Sequence, residues 1–147
     1  MVTIRQVSVF VENRSGRLAE VANKLADENI NIRALSVADT SEFGILRLVV
    51  PDADRTAQVL RDGGFAVGEA QVFAVEVPDR PGGLAGVLTV LARQEINIEY
   101  CYAYGPVEGT EVAVLMFRVQ DEQMQQAAQL FEKSGIRTLS EADLAAL

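Results

Sequence analysis

The sequence predicts an α+β protein made of two tandem copies of one βαββαβ unit that pack together. Two observations predict this class: the chain of 147 residues repeats itself at a spacing of 66 residues, and each copy alternates strand-like and helix-like hydrophobic patterns. A unit of about 70 residues buries only about 60% of its unfolded surface, so each copy is marginal alone and we expect fixed packing between them. The predicted domains are residues 1–70 and 71–147.

The repeat is most evident between residues 7–35 and residues 73–101. Twelve of the 29 aligned positions are identical, including Arg14 with Arg80. An insertion at residues 106–110 of the second copy then shifts the alignment. Similarity of this density in matching order indicates that both copies have one fold.

The first copy predicts a strand, a helix, two strands, a second helix and a closing strand. Val7, Val9 and Val11 alternate with polar residues, as expected of a half-buried strand. Gly63 and Gly64 predict a left-handed end for the second helix. The first helix has apolar residues at i, i+3, i+4 and i+7 (Leu18, Val21, Ala22, Leu25), and the later elements are strands at 30–38, 45–50 and 65–70, a turn at 39–44 and a helix at 52–62.

The second copy predicts the same order, which is the ferredoxin-like order. Phe73, Val75 and Val77 alternate in the same way, and Ser140 with Asp143 predicts a capping box that starts a short terminal helix. The remaining elements are a helix with apolar residues Leu84, Val87, Leu88 and Leu91, strands at 96–104, 111–119 and 136–139, and a helix at 121–133. We expect a very short linker at Gly68 and Glu69.

Composition excludes several classes of function. The net charge of −8 argues against nucleic-acid binding, which needs clustered Lys and Arg. Histidine is absent and Cys101 is the single cysteine, so no Ser-His-Asp triad, Cys-His dyad or internal disulfide can form. The sequence also lacks a basic-then-apolar leader and any apolar run of 18 residues. We therefore expect a cytoplasmic protein with no cofactor, no bound metal and no membrane association.

Two strand–helix turns, residues 13–18 and residues 79–84, are the candidate binding sites. At such a turn, free backbone N–H groups and the positive end of a helix favour a carboxylate or another anion. Gly82 and Gly83 would let a ligand approach the backbone closely. A purely structural interpretation stays open, in which Ser15 or Asp79 caps its helix, Pro81 starts the first turn and the glycines satisfy turn geometry.

These turns also carry a family resemblance. The second turn has the sequence Asp-Arg-Pro-Gly-Gly-Leu, and Ile-Asn-Ile opens the next predicted strand at residues 96–98. This arrangement resembles an ACT domain, and the first copy resembles it less closely, with Asn-Arg-Ser-Gly-Arg-Leu and Ile-Asn-Ile at residues 30–32. The resemblance covers nearly the whole chain as two units.

The resemblance implies a regulatory module that binds an amino acid between paired domains. In that family, the ligand is often contacted by the strand–helix turn of one domain and the second strand of its neighbour. The residues implied in this chain are Asn13, Arg14, Ser15, Gly16, Arg17, Leu18, Asn31, Ile32, Asp79, Arg80, Pro81, Gly82, Gly83, Leu84, Asn97 and Ile98.

The first copy departs from the family pattern at three positions. Asn13 replaces the acidic residue, Ser15 the proline and Arg17 the second glycine. Arg17 could block the binding site or bind a ligand carboxylate with two hydrogen bonds. We therefore favour the turn of the second copy as the ligand site.

Other polar and sulfur-bearing residues have simpler interpretations. Tyr100, Tyr102 and Tyr104 alternate along one strand, so we expect them to share a face that covers a sheet or a dimer contact, with ligand stacking by Tyr100 as the alternative. Cys101 is expected to be a small buried apolar residue. The acidic residues of the second copy, Glu108, Glu111, Asp121 and Glu122, are expected to be solvated charges.

The leading hypothesis is a non-catalytic regulatory protein that binds an amino acid through the ammonium and carboxylate groups. The alternative is a regulatory subunit that acts mainly through protein contact on an amino-acid biosynthetic enzyme, as the acetolactate synthase small subunits do in the family that the sequence resembles. We also expect a homodimer. The tyrosines and the apolar residues Ile45, Val49, Val114 and Met116 suggest its contact surface.

Overall fold

Both copies of the repeat fold as βαββαβ units. A computed structural model describes residues 1–39 and 41–147, so Thr40 of the predicted turn at 39–44 lies outside the described residues. The chain divides into two compact units, described separately below. The N-terminal unit is Arg5–Ala70, and the C-terminal unit is Met1–Ile4 together with Gln71–Leu147.

In the N-terminal unit, two helices follow the first and third strands. The sheet order is β2-β3-β1-β4, and β3 pairs antiparallel with both β1 and β2. The elements are β1 (Ile4–Glu12), α1 (Arg17–Asp27), β2 (Ala34–Asp39), β3 (Phe43–Val49), α2 (Ala53–Asp62) and β4 (Ala66–Pro78).

The C-terminal unit repeats this order and adds a short helix. Its sheet order is β7-β4-β6-β5, with antiparallel pairing of β4 to β6 and β7, and of β5 to β6. The predicted capping box of Ser140 and Asp143 is present. The elements after β4 are α3 (Gly83–Ala92), β5 (Ile98–Pro106), β6 (Val112–Val119), a 3₁₀ turn (Asp121–Gln123), α4 (Met124–Lys133), β7 (Thr138–Leu139) and α5 (Glu141–Ala145).

Each unit has its own core on the helix side of its sheet. In the C-terminal core, the rings of Phe73 and Phe131 meet edge to face, with centroids 5.3 Å apart. The predicted helix stripes are narrower than expected, because Leu18, Ala22 and Leu84 are exposed and Leu88 is half-buried. The buried positions of the stripes are Val21, Leu25, Val87 and Leu91. The alternating apolar residues of β1 and β4 confirm the strand predictions: Val7, Val9, Val11, Phe73, Val75 and Val77 are all buried.

The second strand of each unit starts later than predicted. Ile30 and Ile96 donate their backbone N–H groups to Leu25 and Leu91, at 2.9 and 3.1 Å. These bonds keep both isoleucines in the turn that ends the preceding helix, so the strands begin later, at Ala34 and Ile98. At the end of α2, Gly64 has a φ of 87°, which confirms the predicted left-handed ending.

The prediction of a short linker between the two copies is wrong. Gly68 and Glu69 lie inside β4, which runs without a break through the predicted domain boundary. Glu69 bonds to Arg5 and lies 3.7 Å from Arg61, so its side chain is held by ion pairs of the N-terminal unit.

The residues that suggested a dimer contact are mostly buried within the chain. Val49, Val114 and Met116 are 2% exposed or less, and Tyr102 is also buried. They cannot form an exposed contact surface, so that interpretation is wrong for the three apolar residues, whereas the burial of Tyr102 agrees with the alternative that the tyrosines cover a sheet face.

The prediction that Cys101 is buried is also wrong, because Cys101 is exposed. Cys101 lies on β5, at the end of the C-terminal strand order, where a sheet residue has a neighbouring strand on one side only. The ladder between β5 and β6 shifts register between Ile98 and Tyr100 and again between Ala103 and Gly105.

No helix formed by the described residues is long and apolar enough to span a membrane.

Candidate functional site

The two strand–helix turns have nearly the same backbone geometry. Gly16 and Gly82 are the N-cap residues of α1 and α3, with φ angles of 85° and 87°, and neither helix has a side-chain cap. A left-handed conformation of this kind favours glycine. The interpretation of Ser15 or Asp79 as a helix cap is therefore wrong, and Pro81 precedes the cap instead of starting the first turn.

The C-terminal turn is held by short backbone hydrogen bonds. Asp79 donates its N–H to the carbonyl of Glu111 at 2.8 Å, which ties the end of β4 to the residue before β6. Gly83 donates to the carbonyl of Arg80 at 3.0 Å. A Cβ atom at Gly83 would lie 1.9 Å from the Pro78 carbonyl oxygen, so this turn accepts no side chain there without a shift of the strand end.

A depression lies beside this turn within the C-terminal unit. We call it the C-terminal depression; it has a volume of about 750 Å³ and is bordered by the turn, the start of β6 and the loop from α4 to β7. A neighbouring depression of about 380 Å³ lies along the first turns of α3. The two share four lining residues, Pro78, Arg80, Val87 and Ile136.

The charged residues of the C-terminal depression divide into paired and unpaired groups. Arg137 and Glu76 form an ion pair at 2.8 Å. Asp79, Arg80 and Glu111 form no ion pair with any described residue, and all three are exposed. The turn therefore presents an anionic and a cationic side chain, from adjacent residues, that are free to contact a ligand.

In the N-terminal unit, Arg17 occupies the position equivalent to Gly83. Its guanidinium contacts the carboxylates of Glu12 and Glu20, each at 2.5 Å. The same group lies 4.2 Å from the centroid of the Phe65 ring, within range of a cation–π interaction. Arg17 is 17% exposed and is fully engaged by its own unit.

None of these partners exists in the C-terminal unit. The equivalents of Glu12 and Glu20 are Pro78 and Gly86. Phe65 is replaced by Ile136, since each donates its N–H back to the preceding helix, at 3.0 and 2.9 Å. These replacements line the smaller depression together with Gly83. The space that Arg17 fills in one unit is thus open in the other, which favours the blocking interpretation of Arg17 over carboxylate binding.

The strand residues implied by the resemblance are placed differently from expectation. Asn31 and Ile32 lie before β2 and Asn97 lies before β5, while Ile98 is the first residue of β5. Of the turn at 79–84, Asp79 and Arg80 line the C-terminal depression, whereas Pro81, Gly82 and Gly83 line only the smaller one. Leu84, Asn97 and Ile98 line neither. The backbone N–H of Asn97 is used by the side chain of Gln123 at 3.1 Å.

No sequence motif marks the far side of the depression. Thr110, Val112, Gly135 and Ile136 line it but belong to no motif. The only available signal was the insertion at residues 106–110, which ends where β6 approaches the turn.

The ion pair between Arg17 and Glu12 affects the stability of the protein in acid. The pKa of Glu12 lies below its usual value of 4.5, because backbone hydrogen bonding and then Arg17 stabilise the carboxylate. A lowered pKa stabilises the fold above pH 4.5, and this contribution is lost as the pH falls through the folded-state value. We expect the urea midpoint of the natural protein to fall more than that of Glu12→Gln between about pH 6 and about pH 3.

A matched control for this prediction is Glu42→Gln, because Glu42 is exposed and forms no ion pair with a described residue. Its acid response should equal that of the natural protein. Equal acid responses for all three proteins would show that Glu12 contributes nothing to the pH dependence.

Comparisons with known proteins agree with this fold. A family model described as an ACT domain pair matches residues 2–147. The comparison with curated protein sequences gives no significant match. A solved protein from Bacteroides thetaiotaomicron is 37% identical, with 99% of this chain and 98% of that chain covered and a TM-score of 0.88.

More distant structures share the fold. The regulatory subunit of aspartate kinase from Thermus flavus is 16% identical, with 92% and 94% of the two chains covered and a TM-score of 0.63. The ligand-free regulatory subunit from Thermus thermophilus is 14% identical, with 90% and 93% covered and a TM-score of 0.62. The match along the whole chain and the identity to the Bacteroides protein place the sequence in one family. The chain belongs to the ACT domain family, as an ACT domain pair.

Proposed function

We propose that this chain is a non-catalytic regulatory protein that binds an amino acid at the C-terminal depression. The observation that carries the proposal is the pair of unengaged charges, Asp79 and Arg80, on a turn beside a depression of about 750 Å³. An amino acid has one ammonium and one carboxylate group, so it matches the two charges of the turn. The carboxylate of Glu111, on the opposite border of the depression, is a second candidate partner for an ammonium group. We propose that residues 1–70 and 71–147 serve as the two domains of the pair.

Each charged group of the ligand has a candidate partner at the turn. The ammonium group would contact the carboxylate of Asp79, and the guanidinium of Arg80 could hold the carboxylate with two hydrogen bonds. The N–H of Gly83 is already bonded to Arg80, so the first-turn N–H groups of α3 that lack a partner within the helix are those of Leu84 and Ala85, at its positive end. The apolar residues Val87, Val112 and Ile136 offer a surface for an aliphatic part of the ligand.

We propose a single ligand site per chain. In the N-terminal unit, the space beside the turn is filled by Arg17, whose guanidinium is already engaged by Glu12, Glu20 and Phe65. A ligand there would have to displace these contacts. Asn13, Arg14, Ser15, Gly16 and Leu18 are therefore proposed as structural. The proposed ligand contacts are Asp79 and Arg80 in the C-terminal depression, together with Pro81, Gly82 and Gly83, which line the smaller depression beside it.

A thermal-shift screen of the twenty standard amino acids tests this proposal. A ligand present at about 100 times its dissociation constant should stabilise the fold by about 2.7 kcal/mol. We expect a saturable increase in melting temperature for one amino acid or one chemical group of them, and equilibrium dialysis should give one molecule bound per chain. A screen with no saturable shift would contradict the proposal.

The chemistry available to the chain supports a non-catalytic role. The sequence has no histidine, so imidazole acid–base catalysis has no residue to perform it. We assign no catalytic residue.

A second candidate function, regulation through contact with a biosynthetic enzyme, is supported by exposed aromatic side chains. Phe10 is 48% exposed and Phe43 is 54% exposed. Phe10 lies opposite Ile45, and Phe43 lies two residues from Ile45 on the same strand face. Exposed apolar groups on one sheet face are typical of a protein contact. Co-purification of an enzyme that is lost on Phe10→Ser would favour this function.

A further inference from the structure

We propose that the ligand of the C-terminal turn is an amino acid with an uncharged aliphatic side chain, such as that of valine, leucine or isoleucine, and that the smaller depression along α3 holds this side chain. The proposal rests on the proposed amino-acid site and adds the chemical class of its ligand. The two units differ in the space beside the turn, and this difference indicates the chemistry of the ligand.

The space beside the turn of the N-terminal unit is filled by charged side chains of the chain itself. The guanidinium of Arg17 lies there, in contact with Glu12 and Glu20, each at 2.5 Å. The alkyl stem of Lys24 lies over Gly63, because a Cβ atom added at Gly63 would meet the Lys24 Cε atom at 3.3 Å. Four charged residues therefore border this space in the N-terminal unit.

The C-terminal unit has an uncharged residue at each of the four equivalent positions. Glu12, Arg17, Glu20 and Lys24 correspond to Pro78, Gly83, Gly86 and Val90 at the spacing of 66 residues. All four of these uncharged residues line the smaller depression, and Val87 and Ile136 line it as well. An open space with a largely apolar border thus takes the place of the charged cluster.

The same replacements leave Arg80 without the partners of its equivalent, Arg14. Arg14 lies 4.0 Å from a carboxylate oxygen of Glu12 and 3.6 Å from one of Glu20. Uncharged residues occupy both equivalent positions in the C-terminal unit, and Arg80 forms no ion pair with a described residue. Arg80 also borders both depressions. Its guanidinium can therefore hold a ligand carboxylate while the apolar space receives the side chain of the ligand.

Charge and size select the side chain of the ligand. A charged side chain would lose water beside Val87, Val90 and Ile136 without gaining a partner of opposite charge, because the ligand carboxylate already occupies Arg80. Glycine or alanine would leave most of this apolar border in water. An aliphatic side chain covers the border, and the gain in affinity grows with the apolar area removed from water.

Titration of the full chain with each of the twenty standard amino acids tests the ligand class. The tightest binder should be valine, leucine or isoleucine, with an affinity at least about tenfold above that of alanine, because its side chain has more carbon atoms to bury. Tightest binding by any other amino acid would overturn the aliphatic class and leave the proposed amino-acid site intact. Binding of no amino acid would contradict both.

Two substitutions of Gly86 separate the side-chain space from the carboxylate contact. A Cβ atom at Gly86 would meet nothing within 4 Å, so both variants should fold. Helical side chains lean towards the preceding turn, so Gly86→Leu fills the space beside Gly83. It should weaken binding of the aliphatic amino acid by at least about tenfold and change alanine binding by less than about threefold. Gly86→Glu supplies Arg80 with the partner that Glu20 gives Arg14, and should weaken binding of both amino acids by at least about tenfold.

The matched control is Ala92→Leu, which adds an aliphatic side chain at an exposed position of the same helix that lines neither depression. It should leave both affinities within about twofold of the natural protein. Urea unfolding checks that each variant is folded. A Gly86→Leu protein that keeps its preference for the aliphatic amino acid, or that loses alanine binding to the same extent, would overturn the side-chain space. A Gly86→Glu protein with both affinities unchanged would overturn the carboxylate contact at Arg80.

Discussion

Replacing Asp79 with asparagine is expected to weaken amino-acid binding by about 10- to 150-fold with little change in the free energy of unfolding. The loss corresponds to one charge-assisted hydrogen bond of about 1.5–3 kcal/mol. Stability should be unaffected, because Asp79 caps no helix and forms no ion pair with a described residue. Affinity is measured by calorimetric titration with the amino acid that stabilises the protein most, and unfolding by urea on the same preparation.

The parallel substitution in the first copy is the control for Asp79→Asn. Asn13→Ala should leave affinity within about twofold, since Arg17 fills the space beside that turn. If Asp79→Asn leaves affinity within about twofold, Asp79 does not contact the ligand ammonium. If Asn13→Ala lowers amino-acid affinity instead, the ligand site lies at the turn of the N-terminal unit and not at residues 79–84.

The substitution Gly83→Ala is expected to lower both the stability of the protein and its affinity for the amino acid. Gly83→Ala places a Cβ atom 1.9 Å from the Pro78 carbonyl oxygen, so the end of β4 or the start of α3 must move. Overpacking of this kind costs about 1–3 kcal/mol of stability. Because the same movement displaces Asp79 and Arg80, amino-acid affinity should fall as well. Chemical denaturation and titration measure the two effects.

The matched control lies three residues further along the same helix. A Cβ atom at Gly86 would meet nothing within 4 Å, so Gly86→Ala should stabilise the protein by about 0.5–1 kcal/mol through helix propensity. The two methyl groups should thus change stability in opposite directions. Destabilisation of similar size by both would mean that the Pro78 contact is not the cause.

The order of elements could be predicted because hydrophobic periodicity is a local property. Val7, Val9 and Val11 show the alternation of a strand before any tertiary contact is known. Strand starts were predicted less well. The apolar character of Ile30 suggested a strand, but its N–H remains bonded to Leu25 of the preceding helix. Local patterns do not show whether a backbone N–H group bonds to the preceding helix or to a neighbouring strand.

The exposure of edge residues could not be predicted, because it depends on sheet order. Cys101 and its equivalent Leu35 are apolar residues in a strand, which is typical of a core. Both lie on end strands and are exposed. Val114 and Met116 show the opposite error, since they were expected on the surface and are buried.

Half of the candidate site could be predicted from the sequence. The turn at residues 79–84 is continuous in the chain and carries a short motif. The other border of the depression comes from residues 110–112 and 135–137, which reach the turn through the pairing of β4 with β6 and β7. Asp79 meets Glu111 only because that sheet register brings them together. Sequence spacing alone carries no information of this kind.

The most direct test of the proposed site is an amide chemical-shift map of the isotopically labelled full chain, titrated with each of the twenty standard amino acids. We predict saturable shifts for one amino acid or one chemical group of them. These shifts should concentrate at Asp79, Arg80, Gly83, Glu111 and Ile136, with the turn at residues 13–18 unchanged. Saturable shifts centred on residues 13–18, or no saturable shift with any amino acid, would contradict it.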